Sequence, residues 1–204
     1  MEIKTPLEFG QYYHIYNRGN NGNDLFFEPD NYTYFLRLYA KYIVPIAETY
    51  AWCLLKNHFH ILVRIKDKNE IITSDLTYNT TDRPKTIEPY RQFSHLFNAY
   101  TQAINKRHRR TGSLFERKFE RKQVTSEQYL KQLIFYIHNN PVHHGFASKI
   151  ELYTWSSYET ILSNRPTRLN REDVLEVFGG TENFTLYHNE PQNWNDIEEL
   201  IIDF

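Results

Sequence analysis

The stretch 57–63, Asn57-His58-Phe59-His60-Ile61-Leu62-Val63, decides how this chain is read. Lys56-Asn57 precedes the first histidine and an apolar run follows the second, so the pattern predicts a strand over 58–65 entered from a short link. Strand side chains alternate between faces, so His58 and His60 share one face while Phe59 points into the opposite layer. Two imidazoles on one rigid face can share a metal ion. The pair lacks a further ligand and a reacting group, which other parts of the chain must supply.

Working outward, residues 11–17 (QYYHIYN) read as a strand, followed by a turn containing Gly19 and Gly22. Asp30 is the N-cap candidate for a helix through Tyr42, with Tyr34, Phe35, Leu38 and Tyr42 at helical spacing and Pro45 ending it. Residues 46–55 read as a strand hairpinned to 58–65. The polar segment 67–89, with two Thr-rich patches and two prolines, reads as a long exposed loop. A helix is predicted over 90–110, with Phe93, Leu96, Phe97, Tyr100 and Ile104 on one face and Gly112 breaking it. Residues 119–124 read as a fourth strand. Thr125 and Gln128 then offer a capping box for a helix through Asn139 that Pro141 stops. A short helix is expected over Arg171–Phe178.

The order β, α, β, β, α, β, α predicts an α+β, ferredoxin-like antiparallel sheet with helices packed on one face. The expected organisation is a core domain over 1–160, carrying the polar insertion 67–89, and a C-terminal helical and acidic appendage over 161–204.

Composition narrows the function classes. With 204 residues, 40% of them hydrophobic, and 16 Tyr, 14 Phe and 3 Trp, the chain can bury a substantial core. Cys53 is the one cysteine, which excludes an intrachain disulfide or a Cys-based zinc site and suits a reducing cytoplasm. No basic-then-apolar leader begins the chain and no apolar run approaches the roughly 20 residues of a membrane helix, so no membrane partner is expected. The net charge of −1 conceals an asymmetry: residues 91–122 hold nine Lys/Arg against two Asp/Glu, and residues 171–204 hold one Arg against nine Asp/Glu. The basic part points to an anionic partner, with Lys106, Arg107, Arg109, Arg110, Arg117, Lys118, Arg121 and Lys122 as contacts and Phe115 and Phe119 as base-stacking candidates. The plain alternative is a helix end complementing its own dipole. That alternative does not account for the charges beyond Gly112. His14 and Arg18, on the first strand and its turn, are candidates either for DNA contact or for structure.

The reacting group is sought on the last core helix. Tyr136 and Asn140 are four apart and share a helix face, with Gln132 one turn earlier, while Leu130, Leu133, Ile134 and Ile137 form the core stripe. If the polar face meets His58 and His60, a divalent ion held by the histidines and a carboxamide oxygen would polarise a scissile phosphate. Tyr136 would attack it, and the covalent phosphotyrosine would conserve the ester energy for rejoining. Asn140 beside Pro141 also has a capping reading, which leaves Gln132 and His138 as alternative third ligands.

At this point the chain resembles the HUH single-strand transposases, and most closely the REP-associated tyrosine transposases. The matching pieces are YHIYNRG (13–19), WCLLKNHFHILV (52–63), FNAYTQAINKRHRRTGSLFERKF (97–119), YIHNNPV (136–142) and WSSY (155–158), in order over roughly positions 9 to 160. Lys56 stands where many members carry proline. The resemblance implies a metal-dependent single-stranded DNA endonuclease and strand transferase, using Mg²⁺ or Mn²⁺ and a 5′-phosphotyrosine intermediate at hairpin-forming repeats. It implies His58 and His60 as ligands, Tyr136 as nucleophile and Asn140 in the place of the third ligand. Members work as homodimers that exchange the tyrosine helix or as single chains. A DNA-hairpin-binding protein that does not cleave is the alternative of a different class. Replication-initiator or relaxase-like nickases use similar residues, usually with the motifs in the opposite order or in a larger domain.

Overall fold

A computed structural model describes residues 6–77, 87–116, 118–190 and 192. The histidine strand, β3 (His58–Ile65), lies between β2 (Ala47–Leu54) and β1 (Tyr12–Arg18), and β4 (Glu120–Val124) closes the far side of β1. The order β2-β3-β1-β4 is antiparallel throughout, which is the ferredoxin-like arrangement expected from the sequence.

Helices α1 (Pro29–Tyr42) and α2 (Pro89–Arg107) each begin on a proline at the first turn, where the missing N–H costs nothing. Glu28, not Asp30, is the N-cap residue of α1. The apolar stripes of these helices form one core with Tyr13 and Ile15 of β1 and Phe59, Ile61 and Val63 of β3. Within it the ring of Phe59 is 5.5 Å from those of both Phe35 and Phe97. Helix α2 stops three residues before the expected Arg110, because Arg109 takes a left-handed φ of 51°.

The expectation of helices on one face is corrected by α3 (Glu127–His143), which lies on the other face. It follows the last strand, and its stripe of Leu130, Leu133, Ile134 and Ile137 buries against Tyr50, Cys53 and Leu62 on the surface that α1 and α2 leave bare. Ser126, rather than Thr125, caps it by accepting from the Tyr129 N–H at 3.1 Å. Pro141 does not stop α3, which runs two residues past it to His143. Pro141 has no N–H to offer the Ile137 carbonyl, so α3 continues past it with that bond missing, and the chain beyond turns back through Phe146 N–H to Pro141 C=O at 2.8 Å.

Three further helices, α4 (Tyr158–Leu162), α5 (Arg171–Phe178) and α6 (Thr181–Asn189), complete this second core with Tyr158, Val174, Phe178 and Phe184. The described part of 161–204 therefore packs against α3 and β2. Among the described residues no helix is long and apolar enough to cross a membrane.

A buried chain of hydrogen bonds ties α6 to α3. His188 Nδ1–H donates to Phe184 C=O at 2.8 Å, which leaves His188 Nε2 to accept from His138 Nδ1–H at 2.9 Å. His138 Nε2 then accepts from Ser157 at 2.8 Å, and Ser157 Oγ accepts from the Trp52 N–H at 2.9 Å. Every donor runs in one direction only while both imidazoles are neutral. Burial pushes His188 down to about 4 and His138 well below its ordinary range.

The folded pKa of His188 is depressed relative to an unfolded value near 6.5, so the neutral pair stabilises the fold above about pH 6.5 and that contribution is lost as pH falls toward 4. The loss amounts to about 3 kcal/mol at pH 4. Denaturant melts across this window should show the decline, with a shallower slope in His188→Leu; an unchanged slope would refute the assignment. Phe59→Ala should cost about 3–5 kcal/mol by opening a cavity in the first core, and a loss under 1 kcal/mol would contradict the packing described.

Candidate active site

The β1–β3 register sets the site. Tyr16 pairs with His60 and Arg18 with His58, while on the other side of β1 Tyr16 pairs with Glu120 and His14 with Lys122. Paired residues share a face, so His58, His60, His14, Tyr16 and Glu120 all lie on the side covered by α3. The turn leaving β1 holds the entry to β3: Gly19 N–H donates to Asn57 C=O at 2.7 Å, and Leu25 N–H to Lys56 C=O at 2.8 Å. A Cβ on Gly19 would come within 1.7 Å of the Asn23 carbonyl oxygen, so this turn closes only around glycine.

From α3, Asn140 and Tyr136 reach the histidines. His58 Nε2 lies 3.0 Å from Asn140 Oδ1. The Tyr136 ring meets that of His60 edge-on at 5.3 Å and that of His14 at 6.1 Å. The rings of His58 and His60 are 5.2 Å apart and nearly perpendicular. His138, an alternative third ligand, is turned away into its bonds with His188 and Ser157. Gln132 is half-buried one turn before Tyr136.

The donors suit a divalent cation. His58 faces a carboxamide oxygen on each ring nitrogen, Asn57 Oδ1 at 2.9 Å from Nδ1 and Asn140 Oδ1 at 3.0 Å from Nε2. A neutral imidazole has one proton to give, so with both amides in this orientation one contact sets lone pair against lone pair, a conflict that turning the Asn57 amide or placing a cation at Nε2 relieves. Asn140 Nδ2 is also buried without a hydrogen-bond partner among the described residues. Turning the amide end for end would pair Nδ2 with His58 and strand Oδ1 instead. A cation held by His58 Nε2 and Asn140 Oδ1 removes the conflict, and two donors cis on one ion at about 2.1 Å stand about 3 Å apart. Burial drives His58 down to about 4 and His60 well below its usual range, so both are neutral at physiological pH, as ligation of a cation would require. The set depends on the carboxamide, since no group of three or more His, Cys, Asp or Glu is arranged for a metal among the described residues.

The site is closed. Tyr136 is 1% exposed, His58 2%, and His60 and Asn140 not at all. His14 is equally buried, which removes it as a direct DNA contact here, and its Nε2 lies 2.9 Å from His60 Nδ1. Tyr16 is half-buried; burial, then Glu120 and Tyr136, raise its phenol above the usual range. Tyr16 and Glu120 were not singled out by sequence, and His14 was singled out only as a candidate for DNA contact or for structure. The alternation of YHIYNR did put His14, Tyr16 and Arg18 on one face, but nothing in the sequence set their register against His60.

The basic residues divide into two groups. Lys106 and Arg107 lie in the last turn of α2, where Arg107 donates to Glu28 at 2.7 Å. Arg109 is exposed, and the Arg110 guanidinium lies 5.5 Å from the centre of the Phe27 ring. Arg18 forms a two-pronged ion pair with Glu116, and Lys118 is exposed. On the edge strand β4, Arg121 lies over the Phe119 ring and Lys122 over the Tyr129 ring, on opposite faces of the sheet. Arg117 lies outside the described residues. Phe115 and Phe119 are corrected from base-stacking candidates to core residues: both are buried against Phe97, at ring distances of 5.2 and 5.4 Å, so neither face is open to a base.

No family model matches the chain. Over 112 residues it is 24% identical to a Haemophilus influenzae protein named as a REP-associated tyrosine transposase, a stretch covering 54% of this chain and 58% of that one. The chain thus spans less than two thirds of the length of the curated relative it matches. A solved structure, a REP-associated tyrosine transposase bound to a REP hairpin, superposes with a TM-score of 0.59 at 15% identity, over 81% of this chain and 88% of that one. The resemblance carried by the sequence motifs is therefore met again in a curated relative and in the fold.

Asn140→Asp sets a carboxylate where the carboxamide oxygen is now 3.0 Å from His58 Nε2, and should raise the His58 pKa from about 4. Histidine NMR titration reads this directly; an unmoved His58 resonance would contradict the contact.

Proposed function

We propose that this chain is a metal-dependent single-stranded DNA endonuclease and strand transferase, a transposase of the REP-associated tyrosine type, acting at hairpin-forming repeats. The observation that carries the reading is the meeting of Tyr136 and Asn140, one helical turn apart on α3, with His58 and His60 across the sheet. The transposase names of the relatives, and the REP hairpin in the similar structure, supply the substrate class.

In this reading the Tyr136 phenol oxygen attacks the scissile phosphorus. The bond from phosphorus to the 3′ oxygen breaks, giving a 5′-phosphotyrosine and a free 3′ hydroxyl; attack by a 3′ hydroxyl reverses the step and joins strands. His58, His60 and Asn140 would hold Mg²⁺ or Mn²⁺, which when bound supplies Lewis-acid polarisation of the phosphate and eases loss of a phenol proton whose ordinary pKa is near 10. The chain's own contribution is orientation: α3 sets the Tyr136 ring against those of His60 and His14, and its core stripe fixes the helix against the sheet. With Tyr136 1% exposed, a DNA phosphate reaches the phenol only after α3 shifts from the sheet or its last turn opens. The exposed Lys106 and Arg109 at the end of α2 and Lys118 before β4 would engage the DNA backbone, which makes binding salt-sensitive.

Incubation with single-stranded hairpin DNA and Mn²⁺ should give a denaturation-resistant adduct in the wild type and none in Tyr136→Phe. His58→Ala and His60→Ala should abolish cleavage while leaving hairpin affinity within several-fold. Equal adduct in Tyr136→Phe would refute the nucleophile. Hairpin binding without any adduct would favour a binding protein that does not cleave.

A further inference from the structure

His14 has no place in the reading above, yet its ring meets those of Tyr16, His60 and Tyr136. It is fully buried, its Nε2 lies 2.9 Å from His60 Nδ1 with the two ring centres 5.1 Å apart and their planes 29° apart, and its ring meets Tyr16 at 4.8 Å. Its own Nδ1 is buried without a hydrogen-bond partner among the described residues. As packing alone this is an unfavourable choice, because a stranded buried polar atom loses its hydration without a replacement bond and a phenyl ring would fill similar space.

We infer that His14 is a positioning residue for His60: it accepts the His60 Nδ1 proton, fixes the plane of that ring, and keeps Nε2 as the nitrogen that offers its lone pair to a divalent cation. This rests on the proposed metal site. The chemistry is that of one shared proton. Each neutral imidazole carries one, and the 2.9 Å contact holds one between them. If His14 donates it, His60 must carry its own proton on Nε2 and cannot ligate there. If His60 donates it, Nε2 is a ligand, and the His14 proton sits on the stranded Nδ1. A cation at Nε2 selects the second arrangement, and the stranded proton is the cost of having the ligand ready. A metal-bound histidine generally donates its other N–H to a neighbour that fixes its tautomer. Here the neighbour is an imidazole from the adjacent strand, set by the same β1–β3 register that aligns Tyr16 with His60.

The test is Mn²⁺ affinity, read from the spin-resonance signal of the free ion, in wild type, His14→Phe and His14→Gln. The phenyl keeps the ring's bulk without an acceptor, and the glutamine returns a carboxamide oxygen near the position of Nε2. The inference expects affinity to fall about 10–100-fold in His14→Phe and to recover most of that in His14→Gln. Wild-type affinity in His14→Phe, or a glutamine variant no better than phenylalanine, overturns it. If His14→Phe does not fold, nitrogen NMR of the wild-type protein with Mg²⁺ decides: the His60 proton must sit on Nδ1, and a proton on Nε2 overturns the inference. Should the wild type take up neither ion, the metal site itself is refuted and the role of His14 falls with it. Intact wild-type affinity that His14→Phe leaves unchanged refutes His14 alone.

Discussion

The antiparallel pairing of β1 with β3, with Tyr16 opposite His60, is the constraint on which the rest depends. Strand side chains alternate with a period of two, so a slip of one residue would send His58 and His60 into the phenylalanine core and bring Phe59 to the polar face. Phe59 blocks that slip, because its ring is lodged between those of Phe35 and Phe97. The Gly19 turn holds the strand entry from the other end through Asn57. The hydrophobe between the two histidines is thus what makes them point together.

Much of this was legible in the sequence because it is local. The bounds of β3 follow from an apolar run after a short polar link, and α5 falls on the predicted Arg171–Phe178. The four-residue spacing of Tyr136 and Asn140 put them on one helix face, and α3 remains helical through both. What the sequence could not supply was tertiary choice. Nothing in the stripe of α3 says which face of the sheet it covers, and Pro141 reads as a stop although α3 continues two residues beyond it. Phe115 and Phe119 lie among cations in the sequence, yet α2 draws both into the core. His14 read as a candidate for DNA contact or for structure, and strand pairing places it beside His60 instead.

The histidine of YIHNNP and the second serine of WSSY find a common explanation in the second core. His138, Ser157 and His188 form one directional hydrogen-bond chain that fastens α6 and the backbone of Trp52 to α3. The helix that carries Tyr136 is therefore held on two sides, by its apolar stripe on the sheet and by this buried polar chain behind it. That agrees with a site in its closed state, and it means that exposing the phenol requires α3 to work against both.

Peptide mapping of a covalent protein–DNA adduct tests the central assignment most directly. Trypsin should release residues 132–149 as one peptide, in which Tyr136 is the one tyrosine of the chain's 16. The account predicts the nucleotide mass on that peptide, with fragmentation locating it at Tyr136. A nucleotide on any other tyrosine would contradict it.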